Sequence, residues 1–146
     1  LWARGWAVRR YQEKISMPLL DRIDMMIEVS ALSYPQWNQT TQEMSSAQMK
    51  KKVERVREIQ KERRKGQSFL FNSRMGNQEL EEYCALGTQE KKLMKKAFDE
   101  LKMSARGYTK ILKVARTIAD LEEKEWIQTE HLQEALCYRI GNGIYR

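Results

Sequence analysis

The stretch from Ser104 to Glu122, SARGYTKILKVARTIADLE, constrains this chain more than any other. Tyr108, Ile111, Leu112, Ala115, Ile118 and Ala119 recur three or four positions apart, so a helix gathers them on one wide apolar face. A face that broad must be buried against a partner, and the neighbouring sequence supplies helices. Thr88 opens a segment with Leu93, Met94, Ala97, Phe98 and Leu101 at helical spacing, and Thr129 caps a last one carrying Leu132, Ala135, Leu136 and Ile140. Asn77 caps a short helix, NQELEEYCAL, that stops at Gly87. Ser45 or Ser46 caps a longer helix in which Met49, Val53, Val56 and Ile59 form a narrow stripe, and Gly66 ends it. Residues 45–146 therefore read as a compact helical bundle with short connections.

The N-terminal part reads differently. Residues 9–24 suggest a helical piece ending in a turn, and Met26 to Val29 a short strand, because Ile27 and Val29 are β-branched and alternate with Glu28. A lone strand is not stable and needs a sheet from elsewhere, which marks residues 1–30 as the remnant of a larger α/β unit. Residues 31–44, rich in Ser, Thr, Asn and Gln, then read as a linker. The expected fold class is mainly α: a helical bundle preceded by a short helix-strand remnant.

Composition agrees with this. The chain has 146 residues, 41% hydrophobic and 32% charged, with two prolines and eight methionines, a balance that favours helix over a β-sandwich. No apolar run approaches the roughly 20 residues needed to cross a bilayer, and the opening LWARGWAV has no signal-peptide pattern, so a soluble, cytoplasmic protein is expected with no membrane partner. Cys84 and Cys137 form no CxxC motif, which favours two buried, reduced thiols over a disulfide.

Few residues could carry chemistry. His131 has no second His, Cys or Asp at ligand spacing, so a capping or surface role is favoured and no metal site is expected. The net charge of +7 is concentrated in one helix, where Lys50, Lys51, Lys52, Arg55, Arg57, Lys61, Arg63, Arg64 and Lys65 stand against Glu54, Glu58 and Glu62. Such a run could neutralise nucleic-acid phosphates, although Glu–Lys and Glu–Arg pairs along a solvated helix would use much of the charge, and that reading ranks ahead. Arg106 falls in the first turn of its helix, where the dipole opposes a cation; its presence points to an anion, either a structural carboxylate or a phosphate. Arg22 stands in the apolar run MPLLDRIDMMIEV, where a charge must be paired, solvated or held out for a partner outside the chain.

PLLDRID with the short strand after it, SARGYTKILKVARTIADLE, and EHLQEALCYR resemble, in order and spacing, the C-terminal part of the magnesium-chelatase-like AAA+ ATPases, in their ComM/YifB branch. The resemblance covers roughly residues 9–140. It implies that residues up to about 30 are the tail of a nucleotide-binding core and that residues 45–146 form its helical lid. It further implies that Arg22 is an arginine finger acting on the neighbouring subunit's ATP, with Asp21 and Asp24 orienting it or its turn, and that Arg106 is a sensor arginine acting in its own subunit. Identical subunits in a ring of six and ATP with Mg²⁺ in the intact protein are implied, and coupling to DNA. Metal insertion into a porphyrin, and a DNA-binding module acting through residues 50–65, stay as alternatives. The phosphate-binding loop, the acidic metal-holding strand and the first sensor of the family are not among these residues, so the chain by itself is expected neither to hold a cofactor nor to hydrolyse ATP. Met17, at a place where the family usually has a small residue, and the opening LWARGWAV depart from the pattern.

Overall fold

A computed structural model describes residues 22–27, 29–31, 33–34, 44–65 and 71–139. They are mainly helical: α1 (Ser46–Arg63), a 3₁₀ turn (Asn72–Arg74), α2 (Asn77–Tyr83), α3 (Thr88–Glu100), α4 (Ala105–Leu121) and α5 (Thr129–Arg139), with no strand among the described residues. The amphipathic stretch that constrains the sequence is α4, and it is the centre of the bundle. Ile111, Leu112, Ala115, Ile118 and Ala119 are buried, and α5 packs along them with Leu132, Ala135 and Leu136. Met94 and Ala97 of α3, Leu80 of α2, and Met75, Cys84, Met103 and Ile127 from the connections complete the core. Each of the larger of these side chains contributes about 1.5–3 kcal/mol by leaving water. Among the described residues no helix is long and apolar enough to cross a membrane.

The helix starts follow local chemistry. Ser45 Oγ accepts the Gln48 N–H and the Gln48 side chain accepts the Ser45 N–H, a reciprocal capping box at the head of α1. Ser104 Oγ accepts the Gly107 N–H at the head of α4. Two expected caps move by one residue. At α2 the cap is Gly76, whose N–H donates to Glu79, so Asn77 is already helical. At α5 Thr129 is the first helical residue; its hydroxyl donates to Glu90 of α3, while the Gln128 N–H donates to Nδ1 of His131. That bond leaves Nε2 as the protonated nitrogen, facing Glu122 at 3.2 Å. His131 thus has the capping role expected, but buried rather than on the surface.

Two expectations need correction. Residues 26–29 form no strand where described, since no second strand lies among the described residues to pair with them; instead the Met26 N–H donates to the Tyr138 carbonyl at the end of α5. Arg22 and Asp24 stand in a turn and a bend, as expected for the end of the N-terminal piece; the helical part expected before them, with Asp21, Gly66 and Ile140, lies outside the described residues. Finally, only the second half of the apolar stripe of α1, Val56 with the half-buried Ile59, belongs to its packing face. Met49 and Val53 are exposed, while Val56, Gln60 and Arg64 are buried, because α1 meets α4 through a polar network.

Candidate functional site

Arg106, Lys110, Lys113 and Thr117 lie four, three and four positions apart, so one face of α4 presents three cations in a row. That face lines a groove of about 450 Å³ whose other walls are Asp24 and Met25 of the N-terminal segment and Glu134 and Tyr138 of α5. The cations are held differently. Lys110 Nζ lies 2.8 Å from Asp24 Oδ1, and Lys113 Nζ donates to the Ser73 carbonyl at 3.1 Å. Arg106 is exposed, and its guanidinium has no hydrogen bond or ion pair among the described residues. Arg22, two residues before Asp24, is likewise exposed and makes no ion pair there. Asp24 thus makes its ion pair with Lys110 and makes none with Arg22.

The basic helix divides into two groups. Arg63 and Arg64 leave the solvated set: Arg63 reaches the fully buried Asp120 with both terminal nitrogens, and Arg64 is buried and donates to Asn72. The reason is a carboxylate on the inner face of α4 that needs cations from α1. Asp120 also accepts from Gln60 at 3.2 Å, Asn72 at 2.9 Å and Arg116 Nε at 3.0 Å. Arg116 in turn donates to the carbonyls of Glu125 and Lys124, tying down the chain beyond α4. Burial pulls the Arg116 and Arg64 guanidinium pKa values below their usual level, and Asp120 opposes the shift in both. On the outer face, Arg55 makes two hydrogen bonds to Glu123, and Lys50 lies 3.9 Å from Glu54. Lys51, Lys52, Arg57, Lys61 and Lys65 remain exposed, with Arg57 stacked 5.8 Å above the ring of the half-exposed Phe71.

The thiols also separate. Cys84 is buried beneath α4 and its pKa is pushed up to about 11 by burial, whereas Cys137 is exposed, contrary to the expectation of two buried thiols. Among the described residues no group of three His, Cys, Asp or Glu is placed to hold a metal ion.

The sequence reading missed Lys110, Lys113, Arg116 and Asp120. For Arg116 and Asp120 a signal existed: they are an i, i+4 pair of opposite charge on the apolar face of α4, where isolated charges are costly. For Lys110 the partner is distant in sequence, and no local pattern points to it.

Two family models match the chain: "Magnesium chelatase, subunit ChlI C-terminal" over residues 43–139 and "Magnesium chelatase, subunit ChlI" over residues 3–37. The chain belongs to this magnesium-chelatase-like, AAA+-related family, in its ComM/YifB group. It is similar to competence protein ComM of Haemophilus influenzae, at 41% identity over 133 residues, covering 90% of the chain and 25% of that protein. It is also similar to the uncharacterized YifB proteins of Salmonella typhimurium (36% identical) and Escherichia coli (33%), each match covering 89% of the chain and 25% of the relative. The chain thus spans about a quarter of the length of these relatives.

Proposed function

We propose that this chain supplies the helical lid, residues 45–146, and the last part of the core, residues 1–30, to a ring-forming cytoplasmic ATPase, with residues 31–44 as linker. In this reading Arg106 is a sensor arginine toward the nucleotide of its own subunit, and Arg22 is an arginine finger toward the neighbouring subunit's nucleotide. The observation that carries it is the placing of two exposed guanidinium groups that make no ion pair among the described residues, Arg106 on the groove wall and Arg22 two residues before Asp24 of the same groove. A guanidinium offers a permanently charged fork of five donors, suited to the oxygens of a transferring phosphoryl group.

The groove fits that chemistry. Its α4 wall is cationic, which suits phosphate oxygens; it gathers no acidic set, and we assign no magnesium ligand to these residues. Bound Mg·ATP would bring the phosphoryl group to be transferred and a cation that neutralises part of its charge. This chain's part is to orient two arginines and to let Arg106 neutralise charge from the lid side. In the complete subunit, Arg22→Ala is expected to lower kcat by about 10³-fold while sparing nucleotide affinity. Arg106→Ala is expected to weaken nucleotide binding or turnover. An Arg22→Ala enzyme with full turnover rejects the finger, and unchanged ATP kinetics in Arg106→Ala reject the sensor.

Coupling of the motor to DNA is favoured by one observation, that seven cations of α1 and its C-terminus stay exposed, five of them without an ion pair among the described residues and one, Arg57, lying over the half-exposed Phe71. With Arg63 and Arg64 committed to the core, at most five to seven phosphates could be neutralised from this helix. DNA affinity of the chain should then fall with salt at a log–log slope no steeper than about −6. Absence of binding at ~50 mM salt rejects the helix as a DNA contact.

A further inference from the structure

The segment carrying Arg22 is tied to the lid at two points. Asp24 pairs with Lys110 of α4 at 2.8 Å, and two residues later the Met26 N–H donates to the Tyr138 carbonyl of α5 at 2.8 Å. Lys110 is largely covered, its side chain 14% exposed, so its ammonium is held in one place by the groove wall; Asp24 is the more exposed partner at 66%. Lys110 stands one turn after Arg106, about 6 Å along the same helix. Arg22 lies only two residues from Asp24, a reach of at most about 7 Å. Both arginines are therefore mounted on the same stretch of α4, Arg106 directly and Arg22 through an ion pair.

We infer that Lys110 is a positioning residue for Arg22: through Asp24 it fixes the finger segment to the sensor helix, so that movement of the lid on its own nucleotide carries the finger facing the next subunit. This rests on the finger reading of Arg22. The charged groups facing Lys110 are Asp24, Arg106 one turn before it, Lys113 one turn after it and Glu134 across the groove from α5. Of these carboxylates only Asp24 is within ion-pair distance of Lys110. Because Asp24 is two-thirds exposed, water screens the pair from that side and its contribution to stability is small, so what it contributes is direction rather than fold. Misplacing a reacting group by about 1 Å can cost about 10²-fold in rate, and loss of this tether allows such a displacement.

The test uses the complete subunit and compares Lys110→Met, Asp24→Asn and the charge-swapped double variant Asp24→Lys with Lys110→Asp. Each single variant is expected to lower kcat by about 10-fold or more with KM and nucleotide affinity within about twofold, and the swap to recover most of the loss. In the present chain, Lys110→Met is expected to speed exchange of the Met26 amide hydrogen by about 10-fold or more, with the melting temperature nearly unchanged. Single variants that keep kcat, that lose nucleotide affinity instead, or that the swap fails to rescue overturn the inference, as does an unchanged Met26 amide. Arg22→Ala measured beside them separates the two ideas. If it abolishes turnover while the Lys110 and Asp24 variants do not change it, only the tether is wrong; if it has no effect, the finger reading itself has failed.

Discussion

Replacing Asp120 by alanine gives the sharpest test of how the bundle is held together. The carboxylate is completely buried and accepts hydrogen bonds from Gln60, from both terminal nitrogens of Arg63, from Asn72 and from Arg116. A carboxylate has about four lone-pair sites, so Asp120 is saturated; Arg116 keeps the Glu125 and Lys124 carbonyls and Asn72 keeps Thr117 when it is removed, but no other carboxylate in this network balances the two guanidinium charges. The substitution leaves Arg116, 1% exposed, and Arg63, 18% exposed at its side chain, as like charges without their shared counter-ion. Removing one partner of a buried pair costs about 3–5 kcal/mol, against a total stability of about 5–15 kcal/mol for a domain. For a unit of this size, that corresponds to a melting temperature lower by about 12 °C or more, read by far-UV circular dichroism. Asp120→Asn keeps the shape but turns a donor toward donors, and it should recover little. Adding Arg63→Met to Asp120→Ala should restore part of the loss, since it removes one of the two stranded charges. An Asp120→Ala chain destabilised by less than about 1 kcal/mol would mean that water reaches these arginines and that α1 is not locked to α4 through this network.

Other consequences are simpler to check. Cys137 should react with an alkylating agent near pH 8 while Cys84 is spared until the chain unfolds, which mass spectrometry reads directly; equal reactivity refutes the burial of Cys84. Because burial raises the Cys84 pKa to about 11, its contribution to stability is intact at neutral pH and declines as pH rises from the ordinary thiol range toward that value, where the unfolded thiol ionises first. A Cys84→Ala chain should lack that alkaline decline. Lys102 and Glu123 sit at positive φ at the ends of α3 and α4, with the Met103 N–H returning to the Phe98 carbonyl and the Lys124 N–H to that of Ala119. Lys102→Gly removes a left-handed side-chain penalty and should raise stability by about 0.5–1 kcal/mol, while a loss would show that the lysine contributes a contact of its own.

What could be read in advance depended on how far apart the partners lie. The wide apolar face of α4 and the Ser45 and Ser104 caps are local patterns, set within a few residues, and the structure matches them. The end of α3 was harder because Lys102, not glycine, takes the left-handed position there. The fate of Arg63 could not be read from its neighbours, since Glu62 and Glu58 suggest a solvated face, whereas Asp120, 57 positions away, draws it inward. The groove was half legible: Arg106 stands out as a cation at the wrong end of a helix dipole, but Lys110 gains meaning only once the fold brings Asp24 to it.

In the proposed assignment Arg106 acts in its own subunit and Arg22 in the next, a division that mixing of subunits can separate. Complete subunits carrying Arg22→Ala and others carrying Arg106→Ala should each turn over ATP poorly. Mixed in equal amounts and allowed to exchange, they form head-to-tail interfaces of which about a quarter pair an intact Arg106 with an intact neighbouring Arg22. Turnover is predicted to recover to about a quarter of the unmodified rate, whereas mixed rings no more active than the average of the two parents would contradict the account.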